Sequence, residues 1–265
     1  MSDSIQVRDL WLGFRLKRRG RSRLASSLAG LVTGQQQNRW ALRGVSFDVP
    51  RGEFLGIIGA NGSGKTTLLR CVGGIFLPTK GSVTIRGNVS NLIDSRAGAS
   101  RELSLRENLY IAGAMHGVPK RVTSERIEEV VDFAELQAEV DNPLVTFSAG
   151  MLMRVSFSIA VSFEPDIFVV DEVLAVGDEA FKMKCLEKVE TMKKSGTTIV
   201  FVSHELPLVA AHCDRVLVLA DGSLAFDGGP EDAIRRHCEI LGVDVEEALA
   251  HPAPGAWNAR GWSRN

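Results

Sequence analysis

The chain has 265 residues, 45% of them hydrophobic and 24% charged, with 31 Lys and Arg against 32 Asp and Glu. This composition excludes collagen-like, fibrous and wholly disordered chains, and a net charge of −1 argues against a nucleic-acid coat, which would carry a basic excess. No apolar run approaches the roughly 18 residues that span a bilayer; the longest, such as Phe54–Ile58 and Val216–Ala220, have the length of strands.

The first residues, Met1-Ser2-Asp3-Ser4, carry no basic region followed by an apolar stretch, so no secretory signal is expected. Residues 1–50 hold nine Lys and Arg against Asp3, Asp9 and Asp48, so the remainder is acidic. Most of the excess lies in Arg15-Leu16-Lys17-Arg18-Arg19-Gly20-Arg21-Ser22-Arg23, the start of a basic insert over about 15–39. Leu24, Leu28, Leu31 and Val32 follow at the spacing of an amphipathic helix. Two readings stay open for it: attachment to an anionic leaflet or membrane partner, or a helix packed on its own domain behind a solvated loop.

Val45–Val49, Ser82–Ile85 and Val89–Leu92 alternate or are flanked by Gly, the pattern of a small antiparallel layer. Phe54–Ile58, Ile167–Val170, Ile199–Val202 and Arg215–Leu219 are apolar without alternation. Such strands are buried on both faces, as in a mainly parallel sheet between helices. Strand signals vanish between about 94 and 163, where Ile127, Val130, Val131 and Ala134 form one helical face and Met151 to Val161 another. The expected architecture is α/β: a mainly parallel core sheet, a small antiparallel β layer and an inserted helical subdomain. One main domain is expected over 1–242. A short, poorly ordered tail over 243–265 follows, with Pro252, Pro254 and Trp257 in it. Cys71, Cys185, Cys213 and Cys238 have no CxxC spacing and sit in apolar patterns, as reduced buried thiols of a cytoplasmic protein do.

Gly59-Ala60-Asn61-Gly62-Ser63-Gly64-Lys65-Thr66-Thr67 fits GxxxxGK followed by Ser or Thr, between a buried strand and a helical run. Glycines let successive N–H groups curl toward phosphates, and the helix N-terminus adds positive potential. Lys65 would reach the β- and γ-phosphates, Thr66 would coordinate Mg²⁺, and Thr67 would cap the helix or contact a phosphate. Asp171 and Glu172 end the strand Ile167–Val170, at the sheet edge where open α/β folds bind ligands. Asp171 suits the Mg²⁺ shell, directly or through water, and Glu172 the attacking water. A strand-end acid pair also caps helices, but beside a P-loop the catalytic reading is stronger. His204, after the strand Ile199–Val202, can sense a γ-phosphate by hydrogen bonding.

The order of these motifs, with Phe147-Ser148-Ala149-Gly150-Met151 and Ala175-Val176-Gly177-Asp178 between them, resembles the nucleotide-binding subunit of ATP-binding-cassette transporters over about residues 5–240. Ser148 and Gly150 stand where the family's LSGGQ serine and second glycine stand, with Ala149 and Met151 in place of Gly and Gln. The resemblance implies the α/β P-loop NTPase fold of these ATPases, with 1–242 as the nucleotide-binding domain, ATP and Mg²⁺ as cofactors and a homodimer with two ATP sites at its interface. It implies Glu172, His204 and Lys65 as catalytic groups, and Asp94 near the metal, at the place of the family's Q-loop glutamine. In the family an aromatic stacks on adenine; Trp40 is the candidate here, with Phe14 and Trp11 as alternatives, and a buried structural role for Trp40 stays equally open.

Within the family, Phe147-Ser148-Ala149-Gly150-Met151-Leu152-Met153-Arg154, Asp171-Glu172-Val173-Leu174-Ala175-Val176-Gly177-Asp178, Trp40–Phe47 and Arg106-Glu107-Asn108 are similar to exporters of capsule, O-antigen and teichoic acid. That similarity implies an ATPase subunit on the cytoplasmic face of the cell membrane. It would work with an integral membrane permease of ABC-2 type and without nucleic acid. Residues 97–101 depart from that subgroup's pattern. Another exported substrate (lipid or drug) and a soluble, non-transport cassette ATPase remain as alternatives. A small-molecule kinase or GTPase explains neither Ser148-Ala149-Gly150 nor His204.

Overall fold

The structure, a computed structural model, describes residues 3–15, 38–92, 100–171 and 179–250. The basic segment 16–37, Asp94, the Glu172–Asp178 segment and the tail tryptophans therefore lie outside the described residues.

β1 (Asp3–Arg15) and β2 (Asn38–Pro50) form an antiparallel hairpin. Within β1, Ile5 and Val7 and then Leu10 and Leu12 are buried. The step of three between Val7 and Leu10 is an irregularity at which Asp9 takes a φ of 43° and the register shifts. An extra residue resets the in–out alternation of a strand, so this strand carries no clean period of two and escapes sequence reading. β3 (Phe54–Gly59), buried at every residue, feeds α1 (Lys65–Val72). β4 (Lys80–Ile85) pairs antiparallel with β1 and completes a three-stranded sheet of order β2-β1-β4.

The sequence puts Val89–Leu92 in that small layer; the structure does not. It is β5 (Val89–Leu92), a parallel edge strand of the main sheet. With one neighbouring strand, it keeps the polar residues Ser90 and Asn91, and its alternation imitates a half-exposed antiparallel strand.

Three helices follow. α2 (Leu105–Met115) opens on a capping box in which the Ser104 N–H donates to the Glu107 carboxylate at 2.8 Å and the Glu107 N–H to Ser104 Oγ at 3.2 Å. α3 (Lys120–Ala134) starts after Pro119 and stops at Glu135, whose left-handed φ of 58° ends the helix. α4 (Ala149–Ser162) is capped by Ser148, whose Oγ accepts from the Met151 N–H at 3.2 Å. Leu105, Leu109, Ile127, Val131, Leu144 and Val155 pack as a core of their own. The chain then returns to the sheet through β6 (Ile167–Val170), α5 (Glu179–Lys194), β7 (Thr198–Val202), α6 (Leu206–His212), β8 (Arg215–Ala220) and β9 (Ser223–Gly228). α7 (Pro230–Leu241) and α8 (Val245–Ala250) end the described chain. The loose tail expected from Gly242 thus begins with a helix, whose Val245 and Ala248 pack on the core.

The main sheet has the order β5-β6-β7-β3-β8-β9, parallel except for β9. Phe157, Phe168, Phe181 and Phe201 fill one side of it. On the other, Leu55, Ile57 and Val200 share a core with α1 and the small sheet. This places the carboxyl ends of β3, β6 and β7 side by side on one edge. Among the described residues, no helix is long and apolar enough to cross a membrane. The four cysteines are buried and unpaired.

Candidate nucleotide-binding cleft

The Gly59–Gly64 loop runs from the end of β3 into α1. It needs glycine at two backbone-tight places. A Cβ on Gly59 would sit 2.3 Å from the Leu219 carbonyl oxygen, and one on Gly64, at φ 106°, 2.7 Å from that of Ala41. Lys65 is buried, and its ammonium donates to the carbonyls of Gly59 at 2.7 Å and Ala60 at 3.0 Å. No side chain caps α1, and no acidic residue lies in its first turn. Its N–H groups and positive dipole end therefore face the loop with no carboxylate from the helix's own first turn.

Asn61, Gly62, Gly64, Lys65, Thr66 and Thr67 line a cleft of about 800 Å³. Asp171, directly after β6, and His204, two residues after β7, line the same space. A hydroxyl and a carboxylate on one wall, Thr66 and Asp171, are hard oxygen donors of the kind Mg²⁺ takes. Gly59 lies behind the loop rather than in the lining. Ser63 is buried there too, and its Oγ has no hydrogen-bond partner among the described residues. Asp94 and Glu172, the remaining metal and catalytic candidates, fall outside the described residues.

The aromatic candidates separate. Trp40 and Phe14 line the cleft. Trp40 packs edge-to-face with Trp11 at 5.4 Å, and its ring closes over Gly13, where a Cβ would stand 3.0 Å away. Phe14 is 44% exposed and meets Phe76 at 6.0 Å. Trp11 stands behind them, with its Nε1–H donating to Asp9 Oδ1 at 2.9 Å. Ser148 and Gly150 are not in the cleft. They open α4, with Ser148 exposed.

Sequence reasoning missed Arg39, Arg43, Asp221 and Gly222, which complete the wall. Asp-Gly between two strands is a hairpin signal, so the β8–β9 turn was legible but its position against the cleft was not. His237 was missed as well. It is buried on α7, and burial first, then the charges of Lys65 and His204, hold its pKa below the usual histidine range.

The sequence model of the ABC transporter family matches residues 42–175. The chain is 38% identical over 259 residues to the O-antigen export system ATP-binding protein RfbB of Myxococcus xanthus, covering 95% of this chain and 59% of that relative. It is 41% identical over 201 residues to the protein of the same name in Klebsiella pneumoniae, covering 76% of this chain and 82% of that one. The chain thus spans about three fifths of the first relative's length. A solved structure, "Structure of ATP binding subunit of ABC transporter", superposes with a TM-score of 0.73 at 24% identity, over 93% of this chain and 98% of that one. With a phosphate loop, a strand-end acid and a strand-end histidine around one cleft, on this fold and with these relatives, the chain belongs to the ABC transporter family.

Proposed function

We propose that the chain is the ATP-hydrolysing subunit of an exporter that drives a cell-surface polysaccharide or lipid-linked glycan through a separate permease of ABC-2 type. One observation supports this most. Lys65, Thr66, Asp171 and His204 share a cleft, while Ser148 and Gly150 lie outside it at the start of α4, with Ser148 exposed. A single copy holds the phosphate-binding half of a site and displays the anion-sealing half elsewhere, so two copies placed head to tail complete two sites. The similarity to two O-antigen export ATP-binding proteins supports the substrate class.

In this reading the loop N–H groups and Lys65 hold the phosphates of ATP. Thr66 and Asp171 hold Mg²⁺, which when bound neutralises phosphate charge. Lys65 leaves its two loop carbonyls for phosphate oxygens. Ser148 and Gly150 of a second copy donate to the γ-phosphate at their helix N-terminus. Glu172 orients the attacking water, and His204 donates to the γ-phosphate as charge develops. Trp40 and Phe14 supply the aromatic faces for the base. Pairing and separation of the two copies move the permease, because ATP does work only through its different affinity for the two arrangements. The chain then acts as a peripheral protein of the cytoplasmic membrane face.

The test uses the purified full chain and Glu172→Gln. The variant should bind ATP, turn over slowly and run as a dimer on gel filtration with ATP. Absence of an ATP-dependent dimer overturns the two-copy site. In cells, loss of the chain should leave completed glycan inside; unchanged surface glycan would return the substrate to the lipid or drug alternative.

A further inference from the structure

Away from the cleft, three helices meet at one carboxylate. Glu135, the left-handed residue that ends α3, accepts from Arg154 Nη1 at 2.6 Å through Oε2 and from Lys184 Nζ at 3.1 Å through Oε1. Arg154 lies on α4, six residues after Ser148, which is roughly 9 Å along a helix axis. Lys184 lies on α5, the helix that follows the Asp171–Asp178 segment.

The junction is held from several sides. Arg154 Nη1 also donates to the Ala134 carbonyl at 3.3 Å, and Lys184 Nζ reaches that of Asp132 at 3.5 Å. These are carbonyls of the last turn of α3, where the helix supplies no N–H donors of its own and positive charge is favoured. The guanidinium of Arg154 lies 4.6 Å over the Phe181 ring, and the Lys184 ammonium 4.9 Å over that of Phe133. Phe133 in turn stacks on Phe157 of α4 at 5.8 Å and meets Phe181 of α5 at 5.9 Å. Both cations therefore rest on rings and cannot swing freely. The Arg154 and then the Lys184 hydrogen bond hold the Glu135 carboxyl below the usual range, so it is a carboxylate throughout the neutral region.

We infer that Glu135 is a positioning residue for ATP hydrolysis. It fixes α4 against α5, which shares a core with Phe168 and Val170 of β6, and so fixes the Ser148–Gly150 end, which serves the second copy's nucleotide, relative to Asp171, which serves its own. The inference rests on the two-copy site proposed above. Glu135 touches neither half-site and acts through the two helices. The Glu135 side chain is 51% exposed, and ion pairs open to water contribute little to global stability, so its loss should be read in turnover and not in unfolding.

The experiment compares wild type, Glu135→Gln, Lys184→Met, the double variant and Glu135→Asp as full chains. It measures kcat and KM for MgATP, affinity for the non-hydrolysable analogue AMP-PNP, and Tm. Glu135→Gln and Lys184→Met should each lower kcat about tenfold, the scale of a small misplacement of catalytic groups. AMP-PNP affinity and Tm should stay at the wild-type level, since Lys65 and its loop are untouched. The double variant should lose no more than the worse single one, because both break one junction. Glu135→Asp, which keeps the charge, should recover most of kcat. Wild-type kcat in Glu135→Gln, losses that multiply in the double variant, or a fall in kcat tracked by an equal fall in stability each overturn the inference. If the wild-type chain itself neither turns over ATP nor pairs with it, the two-copy reading fails first and this inference falls with it.

Discussion

The Gly222 N–H donates to the Ser63 carbonyl at 3.0 Å, and the Gly222 carbonyl accepts from the Arg43 N–H at 2.8 Å. One glycine of the β8–β9 turn thus ties the phosphate loop to β2 of the small sheet. Its φ is +80°, and a Cβ there would lie 2.7 Å from the Ala41 carbonyl oxygen. Gly222→Val should cost about 1–3 kcal/mol, the scale of a side chain forced into such a backbone. It should also weaken ATP binding, because the loop loses its neighbour. Urea unfolding and nucleotide titration of the same variant check both; wild-type values in both would refute the tie.

Lys65 is held by two carbonyls of its own loop, so its charge has local partners as well as a proposed role toward phosphate. Lys65→Met keeps the buried stem and removes the ammonium. ATP affinity should fall by about two orders of magnitude, in line with a lost charge-assisted contact of about 1.5–3 kcal/mol, while folding persists. Isothermal titration and circular dichroism separate the two effects.

For the base, the geometry favours Trp40 and Phe14 over Trp11. Stacking of a base on an aromatic ring contributes about 1–3 kcal/mol. Trp40→Ala should therefore weaken ATP binding about tenfold or more at that scale, and Phe14→Ala less, given its 44% exposure. Trp11→Phe, behind the wall, should leave affinity near wild type. Equilibrium binding of ATP to the three variants ranks them.

Stability should fall with acidification. His237 has a pKa below its ordinary value of 6.5 because of burial first, then the charges of Lys65 and His204. His116 has its pKa lowered by burial. A histidine whose folded pKa is depressed binds its proton more readily when unfolded. Stability is therefore full above 6.5 and declines as pH falls from there toward the folded values. His237→Gln should flatten that decline. Denaturant midpoints across the range, wild type against variant, give the answer; identical slopes would remove His237 from the account.

The candidate phosphate loop was legible because all its parts are local: a run of nine residues with a buried strand before it and a helix after it. Asp171 and His204 were legible for a related reason, since unalternating apolar strands announce both a parallel sheet and the edge on which their last residues emerge. Other features depend on distant partners. The Gly222–Ser63 bond joins residues far apart in sequence, and nothing in Asp221-Gly222 beyond a turn signal points to it. β1 was hidden by the irregularity at Asp9, and β5 by an edge position that mimics another class of strand. Glu135 reads as one more polar residue at a helix end. Its meaning lies in Arg154 and Lys184, which the fold alone brings together.

Residues 16–37 connect Arg15 of β1 to Asn38 of β2, and beside that connection Phe14 and Arg39 face each other across the pair and line the cleft. Chain length added at this end is thus hung from the wall of the cleft that holds Phe14 and Trp40. Length added at the Pro50–Phe54 turn would instead act at the far end of β3, behind the sheet. This end is the natural place for a reporter: a fluorophore attached beside Phe14 would sense arrival of a ligand in the cleft without touching the Gly59–Gly64 loop.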